Sequence, residues 1–274
     1  MTRLSVNDIK LVSSRIKNYD KMLFDITGAS LKQIAAEAAG SGAELVCPEQ
    51  YSVAVIPVTS GLGKIEGFSE AVQAVGNHLG FRTIVTSIPD VRGIAEAYHS
   101  GADIIMLADD HVFIAINVRS KRIVDNTEAT AKGYVTALKF LVDGLADKEV
   151  LLIGAGRLGR KAAECLVDLG AKVAIYDVNK HLESSIAKDL SNKYNSKVLS
   201  GFTLDEALSK NNIIFDASSG GGFITGDQIA GQTYMAAPGV PLGLDRNALC
   251  KLTGRVIHDP LQIGVATMLY MSLM

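Results

Sequence analysis

The chain reads as an α/β protein with a C-terminal Rossmann-type dinucleotide-binding domain and an N-terminal α/β substrate domain, joined by bridging helices. Three observations predict this. An apolar run at 150–153 breaks into Gly154, Gly156 and Gly159 and then resumes with helical character. From Ser52 onward, short apolar runs alternate with helical patterns, as in a largely parallel sheet covered by helices. A long helical stretch over 127–145 separates two such series.

Composition narrows the class. The 274 residues are 48% hydrophobic and 20% charged with a formal net charge of −2, which suits a well-packed soluble protein. No basic stripe is present, so nucleic acid has no electrostatic footprint to bind. Cys47, Cys165 and Cys250 stand far apart, with no CxxC or Cys/His cluster, so neither a metal site nor a disulfide framework is expected. They read as buried thiols in a reducing compartment. The N-terminus lacks an apolar signal core and no uncharged apolar run reaches ~18 residues, so the expected location is the cytoplasm. A homodimer is compatible with the sequence but not specified by it.

In chain order, Ser5 and Asp8 form a capping signal. Ile9, Val12, Ile16, Tyr19, Leu23 and Phe24 then recur at the spacing of one long amphipathic helix. A second helix runs from Leu31 and stops at Gly40. Strands at 53–58, 83–88 and 103–108 alternate with helices at 68–79 and 91–99. A hairpin at 113–118 and 122–124 follows. The second series places strands at 150–153, 173–176, 198–199, 213–217, 234–237 and 256–257. Its helices lie at 157–169, 181–194, 204–209 and 244–252, and a final helix from Leu261 returns to the first domain. The expected domains are therefore a helical lid and substrate domain at 1–126, a bridging helix at 127–146, the Rossmann domain at 147–260 and a C-terminal bridge at 261–274.

The glycine pattern has a mechanism at each position. Gly154 permits the tight strand-to-helix turn, Gly156 lets backbone approach a pyrophosphate, and Gly159 lets helix and strand pack closely, so an anion meets free N–H groups. Arg157 and Leu158 complete the loop. Arg157 either counters the pyrophosphate charge or is solvated. Asp177 ends the next strand eighteen residues past Gly159, near the ~20-residue offset at which an acid meets the adenosine ribose. An acid there accepts from both ribose hydroxyls and repels a 2′-phosphate, which predicts NAD rather than NADP. Lys180 is the one base that follows soon after.

Other candidates lie at strand ends facing the cleft between the lobes. Thr59 and Ser60 either bind a substrate or cap the following helix. Asp109 and Asp110 can hold an ammonium, act as a base or cap a turn, and strand alternation would let at most one face the cleft. Ser218 and Pro238 follow successive strands where a nicotinamide and its ribose would lie. Asp259 is either an acid aimed at the cleft or a cap for the last helix. A Ser-His-Asp arrangement, HExxH and a Walker lysine are all missing, and Lys64 is the only lysine in the motifs at the mouth of the cleft.

Residues 56–63 (Ile-Pro-Val-Thr-Ser-Gly-Leu-Gly), Gly67-Phe-Ser-Glu70, Ile88-Pro-Asp-Val91, Met106-Leu-Ala-Asp-Asp110 and the run from Asp259 to Tyr270 together resemble the pyrrolysine synthase family over nearly the whole chain. The resemblance implies an NAD-dependent oxidoreductase acting on L-lysine-Nε-3R-methyl-D-ornithine. Its terminal ornithine amine is oxidised, and ammonia and water are lost as the pyrroline ring closes. It further implies that Ser60, Phe68, Ala108 and Asp109 line the substrate site, with Leu4 over it as part of a lid. Asp109, or an ordered water, would accept the amine's proton. This chain has Asp259 where the family pattern has glutamate, and Ser218-Ser219 where it has Thr-Pro. Two competing readings are a dehydrogenase of another amino acid or shikimate-like acid, and a non-catalytic NAD-sensing module.

Overall fold

The computed structural model describes residues 4–40, 42–194 and 197–274. The opening helix is broken into α1 (Val6–Ile9) and α2 (Val12–Thr27) at Lys10 and Leu11. Val12, Ile16, Leu23 and Thr27 form the buried line of α2. Phe24, placed in that line by spacing, sits about 100° round from Leu23 and is half exposed. Gly28, with φ +72°, ends α2. Helix α3 (Leu31–Ala39) then starts on a capping box in which Ser30 and Gln33 satisfy each other's backbone N–H.

The first sheet contains β1 (Ser52–Ile56), β2 (Arg82–Val85), β3 (Ile104–Ala108), β4 (Phe113–Asn117) and β5 (Arg122–Asp125) in the order β2-β1-β3-β4-β5. The first three strands are parallel, linked by α4 (Phe68–His78) and α5 (Asp90–His99). The last two form the expected antiparallel hairpin. From Asp125 the chain enters α6 (Asn126–Leu141), whose first turn is capped by the Asp125 carboxylate on Thr127 N–H at 2.7 Å. The helix stops four residues short of the predicted 145, because Asp143 and Gly144 both take left-handed φ and turn the chain into the second sheet.

That sheet is wholly parallel. It comprises β6 (Glu149–Ile153), β7 (Lys172–Tyr176), β8 (Ile213–Asp216), β9 (Tyr234–Ala236) and β10 (Val256–Ile257), in the order β10-β9-β8-β6-β7. Helices α7 (Arg157–Asp168), α8 (Lys180–Tyr194), α9 (Leu204–Lys210) and α10 (Arg246–Lys251) connect or flank these strands. The predicted strand at 198–199 is reduced to a single bridge between Leu199 and Ala174 beside β7. With that bridge counted, the order is the doubly wound one, and it reverses between β6 and β8.

The last helix, α11 (Gln262–Met271), is buried at every residue. A helix apolar all round has no solvent face, and α11 accordingly packs against α6, α3 and α4. Its burial ties the chain's end to the N-terminal lobe. The two lobes therefore share one continuous apolar core, running from Ile9 and Leu23 through Tyr134 and Leu138 to Leu152 and Tyr270. Among the described residues no helix is long and apolar enough to cross a membrane. Cys47 and Cys250 are exposed, contrary to the expectation of buried thiols. Cys165 is partly buried, and burial pushes its thiol up to about 11.

Candidate active site

A cavity of about 1000 Å³ opens between the lobes at the sheet's reversal point, where doubly wound folds take ligands. Its floor is the glycine turn after β6. A Cβ on Gly159 would stand 1.8 Å from the Gly154 carbonyl oxygen. One on Gly154, whose φ is +92°, would stand 2.8 Å from the Ser218 nitrogen. The fold itself requires both glycines. A Cβ on Gly156 would meet nothing within 4 Å. Nothing in the protein asks for glycine there, so the open space in front of it suits a group brought in from outside. Arg157 and Leu158 begin the twelve-residue α7 and also line the cavity.

Asp177 follows β7 on the same wall. Its carboxylate accepts from Ala155 N–H at 2.6 Å and Asn179 N–H at 2.7 Å, tying strand end to glycine turn. Its own N–H donates to Glu183, a fully buried carboxylate that also accepts from Lys180 and the Gly201 N–H. Burial acts to raise the Glu183 carboxyl, but these donors outweigh it and hold it below the usual range. Lys180 is further committed to the Phe202 carbonyl at 2.9 Å and lies over the Tyr176 ring. Arg157 is left as the one basic residue lining the cavity among those described. Tyr176, Val178, Leu182 and Leu204 give the Asp177 end an apolar slot. On the opposite wall the Ser218 hydroxyl is buried without a hydrogen-bond partner among the described residues, beside Pro238 and Gly239.

Toward the N-terminal lobe the cavity meets Leu4, Phe68 and Phe113. The two rings pack edge to face at 5.4 Å. These same three residues line a second chamber of about 80 Å³ that holds Ser60, Gly63, Lys64, Ala108, Asp109 and Asp110. Strand alternation fails here as a guide. β3 ends at Ala108 and the chain turns at once, so both aspartates reach this chamber. Asp109 Oδ1 accepts from His111 N–H at 2.7 Å and Val112 N–H at 2.8 Å, which holds its carboxyl below the usual range. Asp110 Oδ2 accepts from Leu62 N–H at 2.7 Å and pins the 59–63 loop. Thr59 caps no helix, since α4 begins only at Phe68. Its N–H and hydroxyl instead bind Asp90.

Asp259 is buried in the cavity wall just before α11. Oδ1 accepts from the N–H groups of Leu261, Gln262 and Ile263, so it does cap the start of that helix. Oδ2 lies within hydrogen-bond distance of the Tyr19 hydroxyl at 2.6 Å and the Tyr134 hydroxyl at 2.8 Å. Burial, and after it the Asp259 charge, pushes both phenols well above their usual range. Sequence reading missed this role for the tyrosines, and it also missed Asn126 and Thr130, which line the cavity with Tyr134. The available signal was the fourfold spacing of Asn126, Thr130 and Tyr134, which puts the three on one face of α6.

Two α/β lobes closing on a glycine turn of this geometry define a two-domain dehydrogenase fold. Residues 8–124 match the family model of the pyrrolysine biosynthesis protein PylD, N-terminal domain, and residues 136–236 match that of shikimate/quinate 5-dehydrogenase. The chain is 31% identical over 272 residues to pyrrolysine synthase of Methanosarcina acetivorans, covering 98% of this chain and 99% of that one. It is also 31% identical to the Methanosarcina barkeri pyrrolysine synthase, over 98% and 97% of the two chains. The chain belongs to the pyrrolysine synthase family. Among solved structures, its fold is similar to that of quinate dehydrogenase from Corynebacterium glutamicum in complex with NAD, with TM-score 0.54 and 13% identity over 80% of this chain and 93% of that one. The ligand-free 5-ketofructose reductase of Gluconobacter sp. strain CHM43 gives TM-score 0.52 and 17% identity over 78% and 88%.

Proposed function

We propose that this cavity carries out the NAD-dependent oxidation of the terminal ornithine amine of L-lysine-Nε-3R-methyl-D-ornithine to an imine that takes up water and loses ammonia, and that the resulting aldehyde loses water again as it condenses with the ornithine α-amine and closes to the pyrroline ring of L-pyrrolysine. The observation that carries this reading is the single cavity shared by the glycine turn and Asp177 on one lobe and Leu4, Phe68 and Phe113 on the other. The family relationship supplies the substrate.

NAD fits the residues present. Gly156 leaves room for the pyrophosphate beside the start of α7, Asp177 is placed for the ribose hydroxyls, and the buried Ser218 hydroxyl lacks a partner among the described residues on the side of Pro238. NAD bound there would supply the hydride acceptor for the carbon bearing the amine. With Lys180 committed elsewhere, the described residues of the apolar slot beside Asp177 include no base for a 2′-phosphate. Asp177→Ala is expected to weaken NAD by about 10- to 100-fold, the size of lost charge-assisted hydrogen bonds, and to narrow the preference over NADP. Dissociation constants for both cofactors check this, and equal affinities in the parent protein would refute the choice of NAD.

The amine must be neutral to lose hydride, although its ordinary pKa is ~10.4. Asp109, held below the usual carboxylate range, is a weak proton acceptor at neutral pH, so its role is to hold a substrate ammonium, and water takes the proton from the amine that is oxidised. Leu4, Phe68 and Phe113 exclude bulk water, and ring closure needs mainly a folded-back chain. Asp109→Asn is expected to raise KM by about tenfold or more, with a smaller change in kcat. Asp110→Asn acts through the 59–63 loop. If Asp110→Asn alone abolished turnover, the assignment to Asp109 would be wrong. The general test is NADH formation with the isopeptide against simple amino acids and hydroxy acids. Reduction with a hydroxy acid and none with the isopeptide would reject the proposal in favour of a shikimate-type dehydrogenase.

A further inference from the structure

We propose that Lys64 binds the free α-carboxylate at the lysyl end of the isopeptide, so that the smaller chamber reads a zwitterionic α-amino acid head group while the ornithine end lies in the main cavity. This inference rests on the substrate assignment above. The first ground is charge matching. The isopeptide carries one carboxylate and three ammonium groups at neutral pH, because the lysine side-chain nitrogen is tied up in the amide. The described lining of the two chambers holds two cations, Arg157 and Lys64. Arg157 begins α7 on the dinucleotide side, which leaves Lys64 for the carboxylate. Asp109 in the same chamber supplies the opposite charge for the adjacent α-ammonium.

The second ground is position. Leu4, Phe68 and Phe113 line both chambers, so an aliphatic lysyl chain can pass between apolar walls from one to the other. Lys64 leaves a loop that is fixed rather than loose. Thr59 N–H is held by Asp90, Leu62 N–H by Asp110 and Gly63 N–H by the Ser60 carbonyl at 3.2 Å. The lysines with structural roles are paired, Lys139 with Glu37 and Lys180 with Glu183. Lys64, an exposed residue of the chamber lining, forms no hydrogen bond or ion pair with a described residue.

The test compares the isopeptide with its lysyl α-carboxamide analogue in the parent enzyme, Lys64→Met and Lys64→Arg. The parent is expected to prefer the carboxylate by about 10- to 100-fold in kcat/KM, as for loss of a charge-assisted contact. Lys64→Met should lose that preference, chiefly through KM, with NAD affinity unchanged, and Lys64→Arg should restore part of it. A general folding defect would lower both substrates together and leave the ratio intact. Lys64→Met keeping the parent's preference overturns the proposal. So does a parent enzyme that oxidises both substrates equally, and that outcome leaves the functional reading standing. Absence of any isopeptide oxidation by the parent overturns both.

Discussion

Asp259→Ala is expected to cost about 3–5 kcal/mol, because several buried donors are left unsatisfied at roughly 1–3 kcal/mol each. The carboxylate receives two phenol hydroxyls and the N–H groups that open α11; Tyr134 keeps the Asp259 backbone carbonyl at 2.7 Å, while the Tyr19 hydroxyl and the Gln262 and Ile263 N–H groups lose their acceptor. At roughly 2–4 °C per kcal/mol for a chain somewhat smaller than this one, the melting temperature should fall by about 6 °C or more. Tyr19→Phe removes one donor and leaves the carboxylate with the others, so about 1 kcal/mol is expected. The contrast matters because the contacts join three parts of the chain: α2, the bridging helix α6 and the start of α11. Turnover should fall with Asp259→Ala even where the protein remains folded, since the same group forms part of the cavity wall. Thermal denaturation of the two variants checks the prediction, and equal small losses would show that the buried network is not a stabilising joint.

Gly156→Ala and Gly159→Ala should separate binding from folding. At Gly159 the added methyl overlaps the Gly154 carbonyl, which belongs to the backbone and cannot swing aside, so a loss of about 3 kcal/mol is expected, at the upper end for overpacking. At Gly156 the φ of −71° suits any residue and the methyl meets no protein atom, so stability should change by less than about 1 kcal/mol. Its place in the cavity is where the pyrophosphate would come closest, and NAD affinity should fall by about 100-fold or more for a steric block worth some 3 kcal/mol. Melting temperature and NAD titration on both variants give the answer. Gly156→Ala with undiminished NAD affinity would place the nucleotide elsewhere.

The second lobe was legible because its features are local. An apolar strand, three glycines and an acid one strand later are fixed by short-range geometry, and all appear within thirty residues. The N-terminal lobe was legible as alternating elements, and its small chamber only in part. Asp109 and Asp110 were singled out by their position after β3, but where the strand ended decided which way they faced, and boundaries are the weakest part of a periodicity reading. Phe24 and the exposed Cys250 show the same limit, since hydrophobic type does not choose between neighbouring positions on a helix. The Tyr19–Asp259 contact spans 240 residues, so nothing in either neighbourhood announced it. Asp259 by itself supported both a cap and a cavity acid, and the structure gives it both positions at once.

The most direct measurement of the central claim uses isopeptide carrying deuterium at the terminal ornithine carbon, incubated with NAD and the enzyme, with cofactor and product analysed by mass. The account predicts reduced cofactor one mass unit heavier than NADH, one equivalent of released ammonia, a pyrroline product that retains a single deuterium at that carbon, and slower reduction than with the undeuterated substrate. Unlabelled NADH, with both deuteriums still on the product, would place the oxidised bond elsewhere in the substrate and contradict the proposed chemistry.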